Sequence, residues 1–341
     1  MDAQQLKDLL KGDWSAFQDC LKRQLGSDVS YLCHLNEEVL SHAGKQLRPL
    51  LSLLVARACV SSSPAAASTL GADAAPGTLL PDLTLRYAVA GELLHNATLL
   101  HDDVADASDL RRGRPTVRSL FGADVSVLLG DYWLSRAVDA IVGSDDFDPR
   151  VIRIFTKTLR DLAEGEMLQL EKAASGDTDE SAYLRVIYAK TASLFEACAV
   201  SGACSVGADD SCLNAAATYA RNIGLAFQIR DDIFDYSPEW NTGKPSCEDI
   251  VEKKITLPVL GAFIGASHRG ETELRAAIVQ GVADIRERVL AYVREHKGIE
   301  YAQRRLEDYL HEALAALAPF PDSIWKEALR DLALFIGDRK L

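Results

Sequence analysis

The sequence predicts an all-α protein with one large helical domain over residues 1–341. Apolar residues recur at three- and four-residue spacing along most of the chain, as in Leu47, Leu50, Leu51 and Leu54, and this is the helical period. Strand-like alternation is nowhere sustained, and the sequence contains no repeat of solenoid length. A chain of 341 residues is also long enough to bury a large core.

Glycine, proline and runs of small polar residues mark the ends of the predicted helices. Residues 61–82 include Ser-Ser-Ser-Pro-Ala-Ala-Ala and Ala-Ala-Pro-Gly, so we expect a flexible loop there that joins two helices of the same domain. Further breaks are predicted at residues 111–115, 143–149, 174–178, 207–212, 237–245 and 320–322. The segments between these breaks are long enough for helices of about 15 to 25 residues.

Composition and charge favour a soluble globular protein and exclude several other classes. Hydrophobic residues make up 48% of the chain and charged residues 26%, which is not the profile of a disordered or fibrous protein. A net charge of -13 and a pI of about 5.0 do not predict a basic surface that would bind nucleic acid. The N-terminus has no signal pattern and no apolar stretch is long enough to span a bilayer, so we expect a cytoplasmic protein with at most peripheral membrane contact.

The cysteines predict neither a disulfide framework nor a zinc site. None of the seven forms a C-x-x-C pair, so we interpret them as free thiols in a reducing compartment. No cysteine is a candidate nucleophile.

The first candidate site is a group of three aspartates at the end of an apolar helix. Asp102, Asp103 and Asp106 stand at positions i, i+1 and i+4, so Asp102 and Asp106 share one helix face. Three like charges there repel one another unless a cation lies between them. We name these residues the first aspartate cluster.

A second aspartate cluster repeats the pattern 129 residues later (231 − 102), with Asp231, Asp232 and Asp235. Two such clusters facing each other across a helical bundle would hold several hard divalent cations through oxygen ligands and leave positions open for substrate phosphates, which suits Mg²⁺. A single cluster could be a solvated helix end, but acidic residues are disfavoured at helix C-termini. Neither cluster lies in an EF-hand loop, which disfavours calcium. His101 is the only histidine beside either cluster, which disfavours zinc.

Basic residues accompany both clusters and would bind phosphate oxygens that no metal holds. Each of them, taken singly, could be an ordinary surface charge. His95 precedes Asp102 by two helical turns and Gln228 precedes Asp231 by three residues, so both could line a cavity below the metals. The basic candidates are Lys45, Arg48, Arg111, Arg112, Lys190 with Thr191, Lys244 and Lys254.

These motifs together resemble those of the trans-type polyprenyl diphosphate synthases, most of all the long-chain octaprenyl and heptaprenyl synthases. The match runs from Gly44 to Pro258 through G-K-x-x-R-P, D-D-x-x-D with L-R-R-G-x-P-T, K-T, F-Q-x-x-D-D-x-x-D and K-I-T-L-P, in that order. The resemblance implies an isoprenoid-synthase bundle of helices around a deep central cavity, usually a homodimer.

The resemblance also implies a role for each matching residue. All six aspartates would bind Mg²⁺, about two or three ions per active site. The allylic diphosphate would contact Arg111, Lys190, Thr191, Gln228, Lys244 and Lys254, with Lys190 also catalytic. Isopentenyl diphosphate would contact Lys45, Arg48, His95 and Arg112.

The chain departs from the family pattern at two places. Ala43 stands where a second glycine is common, and Gln46 replaces a frequent basic residue. Around the second cluster, residues 246–249 and Lys253 replace glycines. These departures weaken the resemblance to the family at the isopentenyl subsite and at Lys254.

The expected reaction is ionisation of an allylic diphosphate, such as farnesyl diphosphate, followed by addition of isopentenyl diphosphate. Ala97 and Thr98 precede the first cluster and act as a gate in this family. Neither is aromatic, so we expect a long product, about C35 to C45, of the kind used for quinone side chains, with Trp133 or Leu134 as a deeper floor. The small residues could instead only let helices pack closely, with the product ending at C15 or C20.

Three other functions remain to be weighed. A terpene cyclase shares the fold but has a different second metal motif and no isopentenyl subsite. A non-catalytic partner subunit tends to lose carboxylates from one cluster, and this chain has lost none. A scaffold without chemistry would have no use for six aspartates and their basic neighbours.

Overall fold

The protein, seen here in a computed structural model, is all-α as expected. The structure describes residues 1–42, 44–62, 78–111, 113–236 and 247–338. Ala43, Arg112 and Lys244 lie outside these ranges, as does most of the predicted loop at 61–82.

Sixteen α-helices and one π turn are present in the described ranges. The α-helices are α1 Ala3–Gln24, α2 Ser30–Ser41, α3 Leu47–Val60, α4 Asp82–Ala105, α5 Val117–Phe121, α6 Ala123–Val142, α7 Pro149–Ser175, α8 Glu180–Ile187, α9 Ser193–Ser205, α10 Asp210–Asp235, α11 Glu248–Val251, α12 Leu257–Gly265, α13 Glu271–Gln280, α14 Ile285–Glu295, α15 Gly298–Ala316 and α16 Ile324–Asp338. The π turn, Tyr188–Ala192, joins α8 to α9.

Two very short strands, β1 Leu110–Arg111 and β2 Arg114–Pro115, pair antiparallel just after the first aspartate cluster. The alternation of apolar and polar residues cannot be recognised in strands of two residues, so the sequence predicted only a break at 111–115. Gly113, with φ 75°, supplies the left-handed conformation that the turn between them requires.

The chain divides into two compact units. Unit 1 contains residues 1–156, 197–217 and 317–332, and unit 2 contains residues 157–196, 218–316 and 333–341. A single synthase domain over the whole chain stays a prediction.

Unit 1 is built on α4, against which α6, α3 and α1 all pack. Helix α1 begins with a capping box in which Asp2 accepts from the Gln5 N–H and the Gln5 side chain accepts from the Asp2 N–H. The helix α4 buries Leu93, Leu94 and Ala97, so its apolar length lies in the core, and the exposed Asp106 follows its last residue.

Unit 2 carries the larger, C-terminal part of α10, which ends in the second aspartate cluster, and a C-terminal group in which α12 packs against α14 and α15. Helix α8 begins at the cap Asp179, whose carboxylate accepts from the Ala182 N–H at 2.7 Å. Pro258 stands in the first turn of α12, where its missing N–H costs nothing.

All seven cysteines are free thiols. Among the helices of the described ranges, none combines the length and the apolarity that crossing a membrane requires.

Candidate active site

The first aspartate cluster lies at the C-terminal end of α4, in unit 1. Asp103 is buried, with 4% of its surface exposed, whereas Asp106 is exposed at the residue that ends the helix. The Asp106 N–H donates to the Asp102 carbonyl at 2.8 Å. The three aspartates therefore stand at the C-terminal end of one helix.

Arg111 is brought to Asp103 by the β1–β2 hairpin. Its Nε and its Nη2 each lie 2.8 Å from Asp103 Oδ1. Burial raises the pKa of the Asp103 carboxyl, and Arg111 acts in the opposite direction. This guanidinium therefore compensates a buried charge of the first cluster.

The second aspartate cluster ends α10, in unit 2, and its middle carboxylate is held by neutral donors. Asp232, 5% exposed, accepts from the Tyr183 hydroxyl at 2.7 Å and from the Gln228 amide at 2.9 Å. Burial raises the pKa of Asp232 to about 6, although both hydrogen bonds lower it. Asp231 also raises it through its charge.

Asp235, the last residue of the second cluster, caps the short helix α11. Its carboxylate accepts from the N–H groups of Glu248 at 3.0 Å and Asp249 at 3.2 Å. Burial raises the pKa of Asp249 well above its usual range, and the charges of Asp232 and Asp235 raise it further. Asp249 is thus a fourth carboxylate of this cluster, which the sequence analysis named only as a departure from the family pattern.

Lys190 and Thr191 lie in the π turn, a local widening that is frequent at functional sites. The Lys190 ammonium pairs with the Glu166 carboxylate and donates to Gln169 Oε1 at 3.1 Å. The Thr191 hydroxyl donates to Gln228 Oε1 at 2.8 Å. Lys190, Thr191 and Gln228, three of the six residues that the resemblance assigns to the allylic diphosphate, therefore lie in one region of unit 2.

Two glycines allow α7 and α10 to approach the π turn closely. A Cβ on Gly165 would lie 2.6 Å from the Ala189 Cβ, and a Cβ on Gly224 would lie 2.6 Å from the Ala192 Cα. Both distances are too short for a methyl group. The glycines thus fix the π turn between two helices.

Glu166 and Gln169 contact the candidate residue Lys190, and no motif in the sequence predicts them. They stand on α7, whereas Lys190 comes about twenty residues later, after the next helix. Only the glycine at 165, beside Glu166, signals in the sequence that another chain segment approaches there.

Basic candidates of unit 1 gather at the start of α3. Lys45 is exposed, Arg48 is half-buried, and Gln46 adopts the left-handed conformation at φ 54°. His95 is half-buried on α4, and its carbonyl accepts from the Thr98 hydroxyl at 2.7 Å.

Lys254 lies in unit 2 just beyond α11. It is half-buried and its ammonium pairs with Glu252. Lys253 adopts a left-handed conformation at φ 62°, the type of backbone that favours glycine, which is consistent with glycine being common there in the family.

Helices α4 and α6 run antiparallel within unit 1. His101 Nε2, near the end of α4, lies 3.3 Å from the Val127 carbonyl and 3.3 Å from Asp131 Oδ1. Arg86, near the start of α4, donates to the carbonyls of Asp139 and Ala140 at 2.9 and 3.0 Å.

This register sets the level of the chain-length candidates. One turn before His101 stand Ala97, buried, and Thr98, half-buried. Trp133 follows the residues of α6 that His101 contacts, so it lies at about the level of Ala97 along the two helices. The expectation that Trp133 stands deeper than Ala97 is therefore wrong. Trp133 is fully buried and its Nε1 donates to Asn36 Oδ1 at 2.8 Å, while Leu134 beside it is half-buried.

The donor set of both clusters suits a hard divalent cation, because every candidate ligand is a carboxylate oxygen. Within the described part of the chain, no group of three or more His, Cys, Asp or Glu side chains is placed so that it could hold a metal ion. A cation bound here would complete its coordination with water and phosphate oxygens, as Mg²⁺ commonly does.

Comparison with known proteins decides the family. The family model of the polyprenyl synthetases matches residues 29–293. The chain belongs to this family. It is 34% identical to an octaprenyl diphosphate synthase of Haemophilus influenzae, over 99% of this chain and 98% of that one.

Solved structures of polyprenyl synthetases agree. A decaprenyl diphosphate synthase from Rhodobacter capsulatus matches with a TM-score of 0.87 and 31% identity, over 99% of both chains. A polyprenyl synthase from Caulobacter crescentus, complexed with calcium and isoprenyl diphosphate, matches with a TM-score of 0.85 and 33% identity, over 100% of this chain and 98% of that one. Enzymes of this family use a divalent metal and isoprenyl diphosphates.

These matches confirm the predicted family, the all-α fold and the enzyme class. The chain is a prenyltransferase of the type that builds long polyprenyl diphosphates. The terpene cyclase and scaffold alternatives find no support.

Proposed function

We propose that the chain adds isopentenyl diphosphate repeatedly to an allylic diphosphate, with Mg²⁺, and releases an all-trans product of about C35 to C45. The observation that supports this most is the pair of aspartate clusters at helix ends in a chain that resembles an octaprenyl synthase over nearly its whole length. Farnesyl diphosphate is the proposed primer.

The six aspartates would hold the metal ions. Magnesium would supply positive charge for the diphosphate leaving group as the allylic carbon–oxygen bond breaks. Asp103 and Asp232, both buried, are held by their own protein contacts, so they would orient the site before substrate enters.

A second set of side chains would bind the departing diphosphate. Lys190, held by Glu166 and Gln169, would present its ammonium in one orientation, and the Thr191–Gln228 pair would add neutral hydrogen bonds. Arg111, Lys244 and Lys254 complete the proposed set. Their combined role is to stabilise negative charge that develops only as the bond breaks.

The side chains of unit 1 would hold isopentenyl diphosphate through Lys45, Arg48, His95 and Arg112. Its double bond would then attack the allylic cation, forming one carbon–carbon bond. The loss of one proton, which the released pyrophosphate would accept, restores a double bond. The reaction therefore needs correct positioning of two substrates more than it needs a general base.

Product length would depend on the space beside Ala97. This side chain and Thr98 leave room where an aromatic residue would close the path, and Trp133 lies at nearly the same level on α6. The hydrogen bond from Trp133 to Asn36 fixes the indole, so this ring would be a rigid wall for the growing tail.

A homodimer, a cytoplasmic location and a role in making quinone side chains remain predictions that go with this proposal.

The test is to incubate the purified protein with isopentenyl diphosphate, farnesyl diphosphate and Mg²⁺, and to resolve the dephosphorylated products by length. We expect a ladder that ends near about C40 and is abolished by EDTA. A ladder ending at C20 would support the proposed elongation reaction and refute the proposed product length. No magnesium-dependent product at all would favour a non-catalytic partner subunit.

A single substitution tests the proposed gate. Ala97→Phe adds a ring at this buried position, so we expect the longest product to shorten by at least about two isoprene units while total isopentenyl incorporation per primer falls in step. Ala88→Ser, a small change at a buried position of the same helix, serves as the control. An unchanged ladder in the folded Ala97→Phe variant would place the gate elsewhere.

A further inference from the structure

Helix α8 is only eight residues long, yet the segment that leads into it is held by two other helices of unit 2, and nothing above assigns this a function. Arg275 of α13 donates from Nη1 to the carbonyls of Gly176 and Thr178 at 2.7 and 2.9 Å. Gly176 has φ 71°, and a Cβ there would clash with Val279, also of α13. The chain that enters α8 therefore lies closely against α13.

Glu180, the first residue of α8, is the second point of attachment. Its Oε2 accepts from the Tyr301 hydroxyl at 2.5 Å and its Oε1 accepts from Arg305 Nε at 2.9 Å, and both donors stand on α15. Burial raises the pKa of the Tyr301 hydroxyl to about 12, and the hydrogen bond to Glu180 contributes, so this hydroxyl is a donor at neutral pH. Each carboxylate oxygen of Glu180 thus has its own donor from α15.

Both donors are fixed by contacts that do not involve α8. The Arg305 guanidinium lies over the Tyr309 ring, 5.3 Å from its centroid, and donates from Nη1 to Asp308 Oδ2 at 3.3 Å. Tyr301 packs against α12 at Gly261, where an added Cβ would lie 2.6 Å from the Tyr301 Cβ. Helix α15 therefore presents a preformed pair of donors at a defined position.

Beyond Glu180, the same segment contacts the second aspartate cluster twice. Tyr183, three residues later and so on a neighbouring position of the helix surface, donates to Asp232 at 2.7 Å. Thr191, in the π turn that continues α8, donates to Gln228 at 2.8 Å, and Gln228 donates to Asp232 at 2.9 Å. Two hydrogen-bonded paths from this short segment therefore meet at one carboxylate of α10.

We propose that Glu180 is a positioning residue: its attachment to α15 fixes α8, so that Tyr183 and Thr191 lie where binding of the allylic diphosphate requires them. The inference rests on the proposed function, which places that diphosphate at the second cluster. Glu180 itself touches no substrate. A helix of two turns is not stable by itself in water, so without this attachment its side chains would occupy several positions and binding would have to order them.

The main test is Glu180→Gln, which keeps the size of the side chain and replaces one acceptor oxygen with an amide that cannot accept. We expect the KM for farnesyl diphosphate to rise about fivefold, with the KM for isopentenyl diphosphate within about twofold of wild type. Calorimetric titration with pyrophosphate and Mg²⁺, without isopentenyl diphosphate, should show a similar loss of affinity.

A thermal melt verifies that the Glu180→Gln variant is folded. A role in stability alone would lower the melting temperature without raising the KM of one substrate selectively. An unchanged KM for farnesyl diphosphate in the folded variant, or an equal rise in both KM values, refutes the positioning role.

The matched control is Asp308→Asn. Asp308 is the other carboxylate that accepts from Arg305, but it stands on α15 itself and its side chain is 58% exposed. Its loss leaves the contacts of Glu180 in place, so neither KM should change by more than about 1.5-fold. An equal rise in the KM for farnesyl diphosphate in both variants would overturn the proposal.

A second variant covers the case in which Glu180→Gln does not fold. Tyr301→Phe removes only the hydroxyl that donates to Glu180 Oε2 and keeps the ring, so we expect the KM for farnesyl diphosphate to rise about threefold with the KM for isopentenyl diphosphate unchanged. No change in either KM of this folded variant contradicts the role of Glu180. A wild-type protein that elongates nothing refutes the proposed function instead, so the two failures can be told apart.

Discussion

The middle carboxylate of the first aspartate cluster is paired with a guanidinium, whereas that of the second is held by neutral donors. Asp103 accepts from Arg111 at 2.8 Å, while Asp232 accepts from the Tyr183 hydroxyl and the Gln228 amide. Both carboxylates are buried. Nearly the same sequence pattern therefore occurs in two electrostatic environments.

The difference predicts how each cluster responds to protons and to metal. Arg111 provides Asp103 with a fixed positive charge that favours the ionised form. Asp232 has no such partner among its hydrogen bonds, and its pKa of about 6 brings its titration close to neutral pH. We infer that protons and metal compete mainly at the second cluster.

The largest expected effect is the loss of a whole charge from either cluster. Asp102→Asn and Asp231→Asn should each lower kcat by about a thousandfold, because each removes a proposed ligand of the metal that stabilises the leaving group. Steady-state kinetics with saturating substrates measures this. Asp210→Asn, at the opposite end of α10, is the control. Activity within tenfold of wild type in either variant would contradict an equal need for both clusters.

Removing the guanidinium of the first cluster should have the next largest effect. Arg111→Met leaves Asp103 buried without its cation, which costs about 3 kcal/mol of stability, and kcat should fall about thirtyfold. Calorimetry and kinetics measure the two effects. Arg114→Met, on the paired strand with an exposed side chain, should change neither. A variant as stable as wild type would show that Arg111 does not compensate Asp103.

Tyr183→Phe tests the neutral donors of the second cluster. The tyrosine hydrogen bond lowers the pKa of Asp232, so its loss raises that pKa and leaves more of the carboxyl protonated just above pH 6. We expect the half-saturating Mg²⁺ concentration to rise about fivefold at pH 6.5 and less than twofold at pH 8.5.

Tyr188→Phe is the matched control for that measurement, because the Tyr188 hydroxyl donates to Glu196 rather than to the cluster. An effect of Tyr183→Phe that is equal at both pH values would refute competition between protons and metal at Asp232.

The smallest expected effect is a difference in stability between substitutions of the last aspartate in each cluster. Asp235 caps α11 through two N–H groups, so Asp235→Ala should lower the stability of the metal-free protein by about 1 kcal/mol, or about 2 °C in melting temperature. Asp106 is exposed at a helix C-terminus, so Asp106→Ala should leave stability unchanged or slightly higher. Equal melting temperatures for the two variants would remove this distinction.

Much of the architecture follows from the sequence because helical periodicity and helix breakers are local signals. The predicted breaks at 143–149, 174–178 and 207–212 coincide with the ends of α6, α7 and α9. The positions of both aspartate clusters at helix ends could also be predicted from the sequence, since closely spaced carboxylates at the end of an apolar run form a pattern within one helix.

The environment of each cluster was not predictable, because it comes from residues distant in sequence. Tyr183 precedes Asp232 by 49 residues, and nothing in its own segment marks it as a partner. The π turn likewise has no periodic signature, and the capping of α11 by Asp235 depends on a chain reversal. Spacing in the sequence indicates the candidate site residues, whereas tertiary contacts determine the environment of their charges.

The π turn at Tyr188–Ala192 also limits how this enzyme can change in length. A π turn contains one residue more per turn than an α-helix, and each residue of a helix turns the chain by about 100°. Deleting one residue there would restore a regular helix but rotate Lys190 away from Glu166 or rotate all of α9. Insertions and deletions should therefore be tolerated in the loops around this helix pair and excluded from these five residues, although the segment is itself helical.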